Sequence, residues 1–398
     1  MSPFPRPGYE KLTRYLPDRS PVELDLSDNT NMWGPHPDAL AVLRNAEPDD
    51  VRRYPDLYAD DLREAAAERA GVTPENITTG CGSDDVLDSI FKASGGAEGD
   101  LVSLAAPTFS MTQPLARMNG VPSRAVMWED ALHDLDRLLE GDPSVIYICR
   151  PNNPTGHMVP EEWVQAIIDR CQGGPLIIVD EAYIDYGGTS FALQAAENPG
   201  LVVTRTLSKA FGLAGLRVGW GVGTPETVEA IDKARGPYKV ALLSAKAAAV
   251  ALRDEAGWVD NMVAECTRNR RRAEAELDRR GLAPLPSHTN FMFFRAPTGD
   301  AVEDARVLRG MGVGLRPFPQ TYPGGWDGMR CSVGPWSMME TMLTTLDEYG
   351  ATVEFTEASQ RNVEDIGPTS AGLPTRSASG GGPGGGGPGD GGGGAASS

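Results

Sequence analysis

Three residues at nearly even intervals carry the first chemical signal: Asn153 in PNNPTG, Asp180 in VDEAY and Lys209 in TLSKAFG. An amide, a carboxylate and a primary amine suit a heteroaromatic aldehyde. The amine condenses with the aldehyde to a Schiff base, and a buried carboxylate keeps a ring nitrogen protonated. Asn153 and Tyr183 offer donors to a ring hydroxyl. Thr206, Ser208 and Arg217 flank Lys209, and hydroxyls with a guanidinium can cradle a phosphate dianion. The segment GCGSDDVLD adds Ser83, Asp84 and the free N–H groups of an opening helix. Phe109 in PTFSM supplies an aromatic face. The set as a whole meets the needs of pyridoxal 5′-phosphate, with Lys209 and Asp180 as the catalytic pair.

Taken singly, each residue has an ordinary reading. A lysine after a strand is usually solvated, an aspartate at a strand end caps a turn, and NPTG is turn chemistry. Ser83 or Asp84 can simply cap a helix. Their joint order is what argues for a site, and that order depends on the elements beneath. VIYIC (145–149), LIIVD (176–180) and LVVTRTLS (201–208) read as buried strands, and PEEWVQAIIDRCQGG as the helix after the first. Parallel strands would bring Asn153, Asp180 and Lys209 to one edge, where open α/β sheets bind ligands. Residues 217–222 read as one more strand. Only eight residues separate Lys209 from Arg217, too few for a helical crossover, so this strand is expected to run antiparallel.

The predicted fold is α/β: a mostly parallel sheet with one antiparallel strand between helices, plus a smaller α+β subdomain. An N-terminal arm over 1–45 precedes a large cofactor-binding domain over 46–240. A long helix around 240–280 leads into the small subdomain over 241–354, with strands at NFMFFR and MRCSV. Residues 355–398, ending in SASGGGPGGGGPGDGGGGAASS, read as a disordered tail.

Composition excludes several classes of partner. A net charge of -19 disfavours nucleic acid and anionic membrane. No apolar run suits a membrane span or signal peptide. Five scattered cysteines without a CxxC pair fit a reducing cytoplasm and no metal site.

PNNPTG, VDEAY and SKAFGLAGLRVGW resemble the fold-type I aminotransferases, over about residues 10–350. The resemblance implies a homodimer in which Tyr54 of RRYPD reaches the neighbouring subunit's cofactor phosphate. Within that group the chain is most similar to histidinol-phosphate aminotransferases, through DLSDNTNMWGP, RYPD, GSDDVLD, PTFSM, SHTNF and MRCSVG. The likeness implies that Arg316, Arg330 and Tyr15 grip the anionic ends of a small substrate, with Asn31 and Gly34 in its pocket. Three positions depart from the family pattern: Thr30 where glutamate is usual, Thr112 where tyrosine is frequent, and Lys239 where asparagine is common. An aromatic amino-acid aminotransferase and a threonine-phosphate decarboxylase share the same cofactor logic. A non-enzymatic ligand sensor would not need both Lys209 and Asp180.

Overall fold

A computed structural model describes residues 20–95, 99–353 and 355, with residues 9, 12–14, 16 and 18 of the N-terminal segment. Tyr15, expected as a substrate contact, lies outside the described residues, as does the expected tail beyond Phe355. The strands among the described residues are, in chain order, β1 (Leu24–Asp25), β2 (Ile77–Gly80), β3 (Val102–Ala106), β4 (Ser123–Met127), β5 (Val145–Cys149), β6 (Leu176–Asp180), β7 (Leu201–Thr206), β8 (Gly219–Val222), β9 (Phe291–Arg295), β10 (Val313–Gly314), β11 (Arg316–Tyr322) and β12 (Trp326–Ser332).

The main sheet has the order β2-β8-β7-β6-β5-β3-β4. Its apolar, β-branched runs are buried on both faces, as parallel strands covered by helices require; every residue of β5 is buried. The helix Glu161–Arg170 returns the chain from β5 to β6 and buries Trp163, Val164, Ile167 and Ile168. The register sets Cys149 beside Asp180 and Asp180 beside Thr204, so β5 and β6 end level and β7 runs on to Thr206. β8 pairs antiparallel with both β7 and β2 and is the one reversed strand, as the short Lys209–Arg217 connection demands.

The helical stretch at 240–280 differs from the single long helix expected. It is two helices, Leu242–Arg253 and Trp258–Arg279. Asp254 takes φ 40° and turns its carboxylate to accept from the Trp258 and Val259 N–H groups at 2.8 and 3.0 Å, capping the second helix. The buried His36 Nε2 lies 2.9 Å from the same carboxylate. Helical periodicity continues across such a break because both helices bury apolar faces.

The smaller sheet runs β11-β12-β9, all antiparallel, and β1 pairs with β10. Ser332 N–H donates to Leu26 O at 2.8 Å and its hydroxyl accepts from Asn29 N–H at 2.9 Å. Those bonds bring the segment around Asn29 over the edge of the main sheet.

Two close approaches hold the loops at that edge. Gly212, at φ +67°, passes so near Gly34 that a Cβ would sit 2.2 Å from the Gly34 carbonyl oxygen. At Gly219 a Cβ would lie 2.2 Å from Ser83 N and 2.4 Å from the Gly82 carbonyl carbon. Gly219→Ala must therefore push β8 off the start of the helix Ser83–Ser94. Denaturant unfolding is expected to show a loss of about 1–3 kcal/mol; unchanged stability would mean the contact is not tight.

Candidate active site

The carboxyl ends of β5, β6 and β7 open into a cavity of about 440 Å³ whose lining includes Asn153, Asp180 and Lys209. Asp180 is only 3% exposed. Its Oδ2 accepts from the Tyr147 hydroxyl at 2.6 Å and its Oδ1 from Ala182 N–H at 3.2 Å. Burial pushes its pKa up to about 6, with these hydrogen bonds opposing the rise.

Lys209 follows β7 and is half-buried, its amine 5.7 Å from the centre of the Tyr183 ring. Crowding by protein brings its pKa down to about 8, and the Arg330 charge adds to the drop. Tyr183 meets Phe291 edge to face at 5.2 Å. Its hydroxyl accepts from Asn29 Nδ2 at 3.0 Å, which leaves the phenolic hydrogen for another acceptor. Burial pushes that phenol's pKa up. Asn153 accepts at Oδ1 from Arg330 Nη1 at 2.7 Å, so its NH₂ group stays available to donate.

A second cluster lies at the mouth of the helix Ser83–Ser94, whose first N–H groups lack helical partners. Ser83, Asp84, Thr206, Ser208 and Arg217 all line the cavity there. The Thr206 hydroxyl donates to Ser208 Oγ at 3.0 Å and accepts from Ser208 N–H at 3.2 Å. Arg217 packs across Gly82, where a Cβ would stand 2.5 Å from Nη2, and lies 3.4 Å from Asp84 Oδ2. Hydroxyls, N–H groups and a guanidinium converge as a phosphate dianion requires. Half-buried Phe109 also lines the cavity.

Opposite Lys209 stand Arg316 and Arg330, direct cross-strand partners on β11 and β12. Like charges opposite one another on a sheet repel, so the pairing favours an anionic ligand between them. Arg330 is buried, donates to Ser27 O at 2.9 Å, and lies 5.4 and 5.1 Å from the Phe291 and Phe318 ring centres.

Several expected residues stand elsewhere. Tyr54 is 84% exposed and packs on Tyr238, with ring centres 5.2 Å apart; it does not line this chain's own cavity. Asn31 and Gly34 are also outside the lining. Asn31 instead donates to Ala210 O at 3.0 Å, and Gly34 backs Gly212, so both brace the Lys209 loop from behind. Of the three departures, only Thr30 reaches the cavity. Thr112 is fully buried, and Lys239 pairs with Asp85 at 2.8 Å. Asp28, Asn29 and Phe318 join the lining without having been singled out in the sequence. Tyr147 was hidden inside an apolar strand.

The sequence matches the family described as aminotransferase class I and II over residues 21–344. The chain belongs to this family. It is 33% identical to a histidinol-phosphate aminotransferase of Acetobacter pasteurianus over 352 residues, covering 87% of this chain and 98% of the relative. With one of Aromatoleum aromaticum it shares 35% identity over 321 residues, covering 78% and 89%. The crystal structure of histidinol-phosphate aminotransferase from Sinorhizobium meliloti in complex with pyridoxal-5′-phosphate superposes with a TM-score of 0.79 at 26% identity, covering 88% of this chain and 99% of that one.

The fold is thus fold-type I, and the aminotransferase depends on pyridoxal phosphate. The donor set fits that cofactor on its own terms: a buried carboxylate, an amine of lowered pKa, two available hydroxyl-directed donors and a cationic cradle share one cavity. No helix among the described residues is long and apolar enough to cross a membrane.

Only a neutral amine attacks an aldehyde. Cofactor-free protein followed by absorbance should therefore capture pyridoxal phosphate at a rate that rises with pH to about 8 and then levels. A rate climbing until about pH 10, the ordinary lysine value, would contradict a crowded Lys209.

Proposed function

We propose that the chain is a histidinol-phosphate aminotransferase, exchanging an amino group between L-glutamate and imidazole-acetol phosphate to give 2-oxoglutarate and L-histidinol phosphate, as a step of histidine biosynthesis. The relatives' names support that substrate. In the cavity, the cross-strand pair Arg316 and Arg330 is the observation that carries it. Two guanidiniums on one face can hold the phosphate of one substrate and the carboxylate of the other in turn.

When bound, pyridoxal phosphate supplies an electron sink and carries the amino group between the two substrates. Lys209 is the amine that would hold the cofactor's aldehyde. Its Nζ then takes the proton from the substrate carbon bearing the amino group, a task that a pKa of about 8 suits near neutral pH. Asp180, as an anion, would keep the ring nitrogen protonated. Asn153 and Tyr183 would donate to the ring oxygen, and Ser83, Asp84, Thr206, Ser208 and Arg217 would form the phosphate cradle, with Asp84 acting through its backbone N–H and by orienting Arg217. Phe109 would supply an apolar wall beside the ring. Arg330, held by Asn153 and Ser27, fixes the substrate so that its C–H bond faces Lys209.

The enzyme is read as a cytoplasmic homodimer. Tyr54 is almost wholly exposed on its own chain, which agrees with a role toward a second copy's phosphate.

Half-reaction kinetics with histidinol phosphate, phenylalanine and phosphothreonine test the substrate. Histidinol phosphate is expected to give the highest kcat/KM, and preference for either competitor would overturn the assignment. Arg330→Gln should lower kcat/KM for histidinol phosphate about a hundredfold.

A further inference from the structure

Tyr147 stands in the middle of β5, between Ile146 and Ile148, and is 0% exposed. A phenol at that depth must spend its hydroxyl on a partner, and the partner is Asp180 Oδ2 at 2.6 Å. The register explains the reach. Tyr147 is opposite Ile178, and Asp180 lies two residues further on the same face of β6, a diagonal that an aromatic side chain can span. The other carboxylate oxygen is engaged separately, by Ala182 N–H.

We propose that Tyr147 is a positioning residue that holds Asp180 as the carboxylate anion, so that the proton between Asp180 and the cofactor's ring nitrogen resides on nitrogen. A hydrogen bond donated to a carboxylate stabilises its charged form over the neutral acid. Desolvation acts in the opposite sense, and at Asp180 it is the larger effect. The remaining groups around Asp180 are Cys149 on β5, Thr204 on β7, Asp84 at the start of the helix Ser83–Ser94, Tyr183 and Lys209. Asp84 repels the anion. Besides Tyr147, the backbone N–H of Ala182 favours the charged form. Tyr147 adds geometry to charge, because its ring is locked among the sheet's apolar side chains and aims Oδ2. The inference rests on the cofactor assignment and is independent of the substrate's identity.

Tyr147→Phe removes one oxygen without changing the ring, and 3-fluorotyrosine at the same position keeps the shape while strengthening the donor. In protein loaded with ¹⁵N-labelled pyridoxal phosphate, the ring-nitrogen resonance of Tyr147→Phe should move toward the neutral pyridine position, while the 3-fluorotyrosine protein keeps the protonated signal. In cofactor-free protein, the infrared carboxyl band of Asp180 should titrate about one pH unit higher in Tyr147→Phe and lower with 3-fluorotyrosine. Unchanged nitrogen resonance and unchanged carboxyl midpoint would overturn the proposal. Should Tyr147→Phe fail to fold, the 3-fluorotyrosine midpoint decides: a fall supports the role and no change refutes it. Failure of the wild-type protein to bind the cofactor would count against the cofactor assignment alone, since the carboxyl titration needs none.

Discussion

The structure depends on keeping one lysine amine out of bulk water at the edge of a sheet. An ammonium in that position costs free energy that a solvated one does not, and Lys209 faces further opposition from Arg330 and Arg217, with Asp84 and Asp28 only partly compensating. That opposition makes the amine reactive near neutral pH. It also requires the protein to fix the lysine from several sides: the Tyr183 ring beside it, Gly34 against Gly212 behind it, and Asn31 bonded to Ala210 next to it.

The same edge separates two charge requirements. Asp180 and the phosphate cradle belong to the main sheet, where register and glycine contacts hold them to a fixed spacing. Arg316 and Arg330 belong to the small sheet and reach the cavity from across it. The segment around Asn29 links the two, because Asn29 bonds both Ser332 of the small sheet and Tyr183, in the turn just after β6 of the large one. Movement of one sheet relative to the other would thus be felt at the groups that hold the cofactor ring and the substrate together.

Much of this was legible from residue types. The apolar strands at 145–149, 176–180 and 201–206 and the short return to β8 are local properties of the chain, and the gathering of their carboxyl ends on one edge follows from parallel pairing. The break at Asp254 was not legible, because it is made by an N-cap and by His36, far away in sequence. Tyr147 escaped for a related reason: within VIYIC a tyrosine reads as core until the register shows which carboxylate lies diagonally opposite. Asn31 and Gly34 were legible as neighbours of the site, but sequence could not say that they stand behind the lysine loop and not in the cavity. Thr30 does reach the cavity, while Thr112 and Lys239 are absorbed by packing and an ion pair.

Borohydride reduction of the pyridoxal-phosphate-loaded protein, followed by peptide mass mapping, tests whether Lys209 is the amine that holds the cofactor. Reduction fixes the cofactor to whichever amine carries it. The added mass is expected on the peptide containing Lys209, with no covalent label in Lys209→Ala. Label on Lys239 or Lys246, both of which are held in ion pairs with aspartates, would contradict it.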